Sequence, residues 1–97
     1  MTHDELVARI GALADQSGVL WCYLPDSTRL RGHRGAPDML LAGPRGVIHA
    51  EVKTGTALEA DQAAWREMLT VAGAACPVWQ PVHLWDGTVN RAIAGIA

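Results

Sequence analysis

Three residues of this 97-residue chain, Asp38, Glu51 and Lys53, have types and spacing that could do chemistry. Asp38 closes the run Gly35-Ala36-Pro37-Asp38, and Glu51 follows thirteen positions later in Val47-Ile48-His49-Ala50-Glu51-Val52-Lys53. Between them, Met39-Leu40-Leu41 and the turn Gly43-Pro44-Arg45-Gly46 complete two apolar runs around a break rich in glycine and proline, which predicts a hairpin. Side chains alternate along a strand, so Glu51 and Lys53 share a face with Val47 and His49. Closing the hairpin brings Asp38 across from the Glu51 end. Two carboxylates and an ammonium crowded at one spot are costly unless a divalent cation or a polyanionic substrate balances them. The combination points to metal-assisted phosphodiester chemistry.

A bare Glu-x-Lys also fits a solvated strand face with an ion pair worth roughly 0–1 kcal/mol. Two features favour chemistry. Pro37-Asp38 lies at a hairpin's distance upstream, and the chain otherwise takes its positive charge from arginine, with seven Arg against one Lys. A lone lysine in so arginine-biased a chain suggests that a compact ammonium is needed at that position.

Gly-x-Pro-Asp, a hairpin, Glu-Val-Lys, and then Leu58 and Gln62 ahead of a helix with Trp65 and Leu69 resemble the PD-(D/E)xK nuclease superfamily, and within it the VRR-type nuclease domain of phages and DNA-repair enzymes. Archaeal Holliday-junction resolvases have a similar core. The resemblance runs from the Glu5 helix to the closing helix after Asp86-Gly87-Thr88 and is most specific over residues 35–62. It implies a Mg²⁺-dependent nuclease (Mn²⁺ substituting) whose metal is held by Asp38, Glu51 and the main-chain carbonyl of Val52, with Lys53 at the attacking water. It further implies that Gln62 points at the site, where the helical stripe it shares with Leu58 and Trp65 would otherwise make it a satisfied amide at the core boundary. Glu5 is a site residue by the same resemblance and a capping residue by local pattern. One departure stands out: Glu59-Ala60-Asp61 replaces the usual small hydroxyl residue at the helix entrance, which concerns only the cap.

Charge and composition fit that expectation. The net charge of −2 argues against a nonspecific basic coat. Yet residues 26–46 carry Arg29, Arg31, Arg34 and Arg45 against Asp26 and Asp38, a local excess of +2 with His33 alongside. Arg31, His33 and Arg34, on a glycine-flanked loop, are the expected DNA phosphate contacts. The acidic start Met1-Thr2-His3-Asp4-Glu5 lacks a signal-peptide pattern, and the longest uncharged, mostly apolar run, residues 68–79, is broken by Gly73 and Pro77 and too short for a bilayer. A cytoplasmic protein without a membrane partner is expected. Cys22 and Cys76 fall in apolar runs and are expected as buried thiols. The four histidines and two cysteines show no zinc spacing.

The elements that must position these residues follow from periodicity. Thr2-x-x-Glu5 is a capping box, followed by Leu6, Val7, Ile10, Leu13 and Ala14 at helical spacing up to Gln16-Ser17-Gly18. Residues 19–24 form an unbroken apolar run, predicting a buried strand stopped by Pro25. After the hairpin, a helix is expected over residues 58–72, ended by Gly73. An edge strand follows at 76–79, marked by Pro77, and then a short helix with Val89, Ala92, Ile93 and Ile96. The order α-β-β-β-α-β-α predicts one α/β domain over residues 1–97, with a restriction-endonuclease-like core of a central mixed β-sheet flanked by helices. With no phenylalanine, the four tryptophans are expected to carry much of the packing. The short edge strand and the apolar run Pro81-Val82-His83-Leu84-Trp85 leave much to bury in so small a chain, which predicts a homodimer. The rival readings are a nuclease-fold module that binds nucleic acid without cutting it, and a protein-interaction domain.

Overall fold

A computed structural model of the chain describes residues 1–24 and 31–97. Pro25, Asp26 and Arg29, which entered the expectations above, lie outside the described residues.

The first helix, α1 (His3–Gln16), opens on the predicted capping box: the Glu5 amide donates to the Thr2 hydroxyl oxygen, while the Glu5 carboxylate accepts from Thr2. It buries Leu6, Val7, Ile10 and Ala14 along one stripe and ends at Ser17, ahead of Gly18 at φ +70°. Strand β1 (Leu20–Tyr23) pairs antiparallel with β2 (Met39–Gly43), which forms the hairpin with β3 (Gly46–Val52). Helix α2 (Ala60–Val71) leads to β4 (Val78–Trp79), which runs parallel to β3. A single turn, α3 (Val82–Trp85), and α4 (Thr88–Ile96) complete the chain. The sheet order β1-β2-β3-β4 is mixed, as predicted, with β4 at one edge.

The core lies on one face of that sheet. Met39 and Leu41 of β2, Ile48, Ala50 and Val52 of β3, and Trp79 pack against the α1 stripe and against Val89, Ile93 and Ile96 of α4. Burying a side chain of this size stabilises by about 1.5–3 kcal/mol, so this alternating set fixes the hairpin register. A one-residue slip would exchange it for the face carrying Leu40, Val47 and His49. The hairpin turn also ties down α4. Arg45 donates through its backbone N–H to the Ile96 carbonyl (3.1 Å) and through Nη2 to that of Ala94 (2.8 Å). A Cβ on Gly43 would collide with the Ile96 carbonyl, so the approach requires glycine there.

Several expectations are corrected. The run at 19–24 is an edge strand, with Leu20 77% exposed, because β1 has a neighbour on one side only and α1 covers just part of it. Cys22 is exposed with it, whereas Cys76 is buried. Of the tryptophans only Trp79 is fully buried, and Trp85 is 66% exposed; aliphatic side chains make up most of the core instead. Helix α2 starts at Ala60 and β4 spans two residues, although backbone bonds from His49 to Ala75, Glu51 to Pro77 and Lys53 to Trp79 carry the parallel pairing further back. The turn α3 was not anticipated. No helix among the described residues is long and apolar enough to cross a membrane.

Candidate active site

Past the last residue pair of the hairpin, Met39 with Ala50, the chain places Asp38 beside the end of β3. The backbone N–H of Val52 has no strand partner on that side and donates to Asp38 Oδ2 at 2.9 Å. Since N–H and C=O of one strand residue point the same way in the sheet plane, the Val52 carbonyl also faces the open end beyond β2. Alternation puts Glu51 and Lys53 on the face opposite the core, as predicted.

Glu51 is the one buried charged side chain among the described residues, 3% exposed. Burial, then a hydrogen bond with Asp38 and the charge of Asp38, raise its carboxyl from the ordinary 4.5 to about 8, with Asp61 adding to the rise and Lys53 opposing it. Near neutral pH burial and the neighbouring Asp38 charge therefore favour the protonated form of Glu51.

Gln62 arrives from α2. Its Nε2 donates to Glu51 Oε1 at 3.1 Å, and its Oε1 accepts from the backbone N–H of Glu59 at 3.0 Å. The second bond fixes which end of the amide faces Glu51. The cap is filled by other groups: Gln62 Oε1 accepts the Glu59 N–H, and Asp61 Oδ1 accepts the Gln62 N–H that an N-cap hydroxyl would take. Gly35, at φ +93°, lets the incoming loop touch the start of α2. A Cβ there would stand 2.6 Å from the Asp61 carbonyl carbon and 2.8 Å from the Gln62 nitrogen.

Not every expected residue joins this cluster. Glu5 is exposed, and its described hydrogen bonds are those with Thr2. Arg31, His33 and Arg34 are exposed on the loop that leads to Asp38. Trp65 Nε1 donates to the His33 carbonyl at 3.3 Å, and His33 and Arg34 line a shallow groove with Asp61, Ala64, Trp65 and Met68.

The residue of α1 that does reach the cluster is His3. Its Nε2 lies 3.2 Å from the Val52 carbonyl oxygen and 3.6 Å from Asp38 Oδ2. Its Nδ1 is 3.4 Å from the Tyr23 hydroxyl. Burial, and then the nearby charges of Asp38 and Asp4, push the Tyr23 hydroxyl above its usual range, so it stays protonated. Sequence reasoning treated the histidines as scattered. The available signal was position, since a histidine just inside the capping box sits where the start of α1 meets the end of β3.

The donors present are two carboxylates and a main-chain carbonyl without a strand partner, hard oxygen ligands of the kind that Mg²⁺ or Mn²⁺ takes. Among the described residues no three His, Cys, Asp or Glu side chains are already arranged to hold an ion by themselves. A buried Glu51 carboxyl that keeps its proton beside Asp38 can exchange that proton for a divalent cation.

The architecture is a small α/β fold with Asp38, Glu51 and Lys53 at the end of a central hairpin. Compared with solved structures, the chain is similar to a VRR_NUC domain protein, with a TM-score of 0.64 and 17% identity over 95% of this chain and 85% of that one. It is also similar to Archaeoglobus fulgidus Hjc, a Holliday junction resolvase from an archaeal hyperthermophile, with a TM-score of 0.53 and 17% identity over 81% of this chain and 65% of the resolvase. No protein-family model and no curated protein matches the sequence. The chain therefore shares its fold with this VRR_NUC domain protein and this resolvase.

Proposed function

We propose that the protein is a metal-dependent nuclease that hydrolyses DNA phosphodiester bonds, with branched DNA as its preferred substrate. The observation that carries this reading is Glu51, buried beside Asp38, hydrogen-bonded to Gln62, and on the same strand face as the chain's one lysine.

Asp38, Glu51 and the Val52 carbonyl would hold Mg²⁺ or Mn²⁺. Such an ion, when bound, supplies Lewis acidity toward a phosphate oxygen and lowers the pKa of a bound water. Lys53 presents an ammonium on the Glu51 face, where it holds the attacking water and offsets charge developing on the phosphate oxygens. Gln62 keeps Glu51 from turning away. Arg31, His33 and Arg34, exposed beside Asp38, serve as backbone phosphate contacts that place the strand without reading its bases. The preference for branched DNA rests on the likeness in fold to a junction resolvase and on assembly as a homodimer, which would carry two cutting sites related by symmetry. Val82 and Trp85, exposed in the turn that follows β4 in the chain, support that pairing.

Incubation with linear, single-stranded and four-way-junction DNA in Mg²⁺ or Mn²⁺ tests the activity, with Asp38→Asn as control. Cleavage that depends on the metal and on Asp38 is the expected result. Binding of DNA without cleavage under any of these conditions would instead favour the inactive-module reading.

A further inference from the structure

We propose that His3 is a nitrogen ligand of the ion held by Asp38, Glu51 and the Val52 carbonyl, giving a mixed donor set that selects Mn²⁺ over Mg²⁺. This rests on the reading of the site as metal-dependent.

The separations favour it. Donors about 2.1 Å from an octahedral ion stand roughly 3 Å apart when adjacent, and His3 Nε2 is 3.2 Å from the Val52 oxygen and 3.6 Å from Asp38 Oδ2. The ring is already aimed at two of the oxygens that would bind the ion. A ligating imidazole almost always has its other ring nitrogen held by a hydrogen-bond partner, and the Tyr23 hydroxyl is in place at 3.4 Å from Nδ1. A hydroxyl can donate or accept, so it supports the tautomer that bonds the Val52 oxygen and also the one that offers the Nε2 lone pair to a metal. The ring also packs against Tyr23, with centroids 5.8 Å apart, and Asp4 lies 4.0 Å from Nδ1. Capping at Thr2 holds the backbone of this turn. An imidazole shifts an otherwise all-oxygen site away from Mg²⁺ and toward transition ions.

Mn²⁺ serves as the probe, bound to the full 97-residue protein. Calorimetric titrations with Mn²⁺ and with Mg²⁺ on the wild type, His3→Gln and Asp38→Asn are combined with pulsed electron paramagnetic resonance of the Mn²⁺ complex. An imidazole nitrogen modulation is expected in the wild type and lost in His3→Gln. Mn²⁺ affinity should fall about 10–100-fold in that variant, and Mg²⁺ affinity by less than about threefold. Mn²⁺ that binds the wild type in an Asp38-dependent way but shows no imidazole modulation overturns the role of His3 and leaves the metal site standing. The wild-type spectrum decides this even if the variant fails to fold. No Mn²⁺ binding by the wild type overturns the metal site itself, and the role of His3 with it.

Discussion

Replacing Glu51 by Gln should stabilise the metal-free protein, and by an amount that grows with pH. The amide keeps an acceptor for Gln62 Nε2 but removes the ionisation that burial and Asp38 oppose. The folded carboxyl holds its proton to about pH 8, whereas an unperturbed one releases it near 4.5. Because the folded state binds this proton more tightly, wild-type stability is greatest below 4.5, falls as pH rises through the interval, and levels off above about 8. At ~1.4 kcal/mol per unit, the whole interval corresponds to roughly 4–5 kcal/mol. A domain of this size has only about 5–15 kcal/mol in total, so the effect is easily measured. Urea denaturation in EDTA at about pH 5, 6.5, 8 and 9 provides the slope. The wild type should lose several kcal/mol relative to Glu51→Gln across that series. Parallel curves for the two proteins would refute a raised Glu51.

Other perturbations separate the parts of the site. Lys53→Ala should lower turnover by at least ~10²-fold with little change in melting temperature, and normal cleavage by that variant would remove the lysine from the mechanism. Gly35→Ala should destabilise by about 1–3 kcal/mol through its left-handed backbone and the clash at Asp61; an unchanged melting curve would count against the tight approach of loop and helix. Mn²⁺ binding near neutral pH should release close to one proton as Glu51 ionises, read as a dependence of calorimetric heat on buffer ionisation enthalpy, and its absence would mean that the carboxyl is already charged. Light scattering at micromolar concentration should give twice the 10.4 kDa chain mass, and a monomer mass would remove the dimer.

The hairpin was legible because several local signals agree there: Pro37-Asp38 at its entry, a glycine-proline turn, and alternation that separates Ile48, Ala50 and Val52 from His49, Glu51 and Lys53. Capping was legible for the same reason at Thr2 and Glu5. The burial of β1 was not, since an apolar run such as 19–24 reads alike whether it has a neighbour on one side or on both, and strand order is a property of the whole sheet. The tryptophans misled because size favours burial on average, while position decides each case: Trp79 faces the core, and Trp85 ends an exposed turn. His3 escaped notice because its partners, Tyr23, Asp38 and Val52, are distant in sequence and meet it only when α1 lies along the sheet. Local pattern tied Glu5 to Thr2, and that is the contact the structure contains.

Helix α2 buries none of its residues, and Met68 and Val71 stand 69% and 79% exposed. Polar tethers hold it near its start: Gln62 to Glu51, Trp65 to the His33 carbonyl, and Arg66 to the Cys76 carbonyl. Releasing it exposes little apolar surface, so its amides should exchange with solvent through a local opening of far lower free energy than those of α1 or β3. The side chain that steadies Glu51 thus rides on a helix that buries none of its own residues, so a DNA strand packed against that helix would also steady the site.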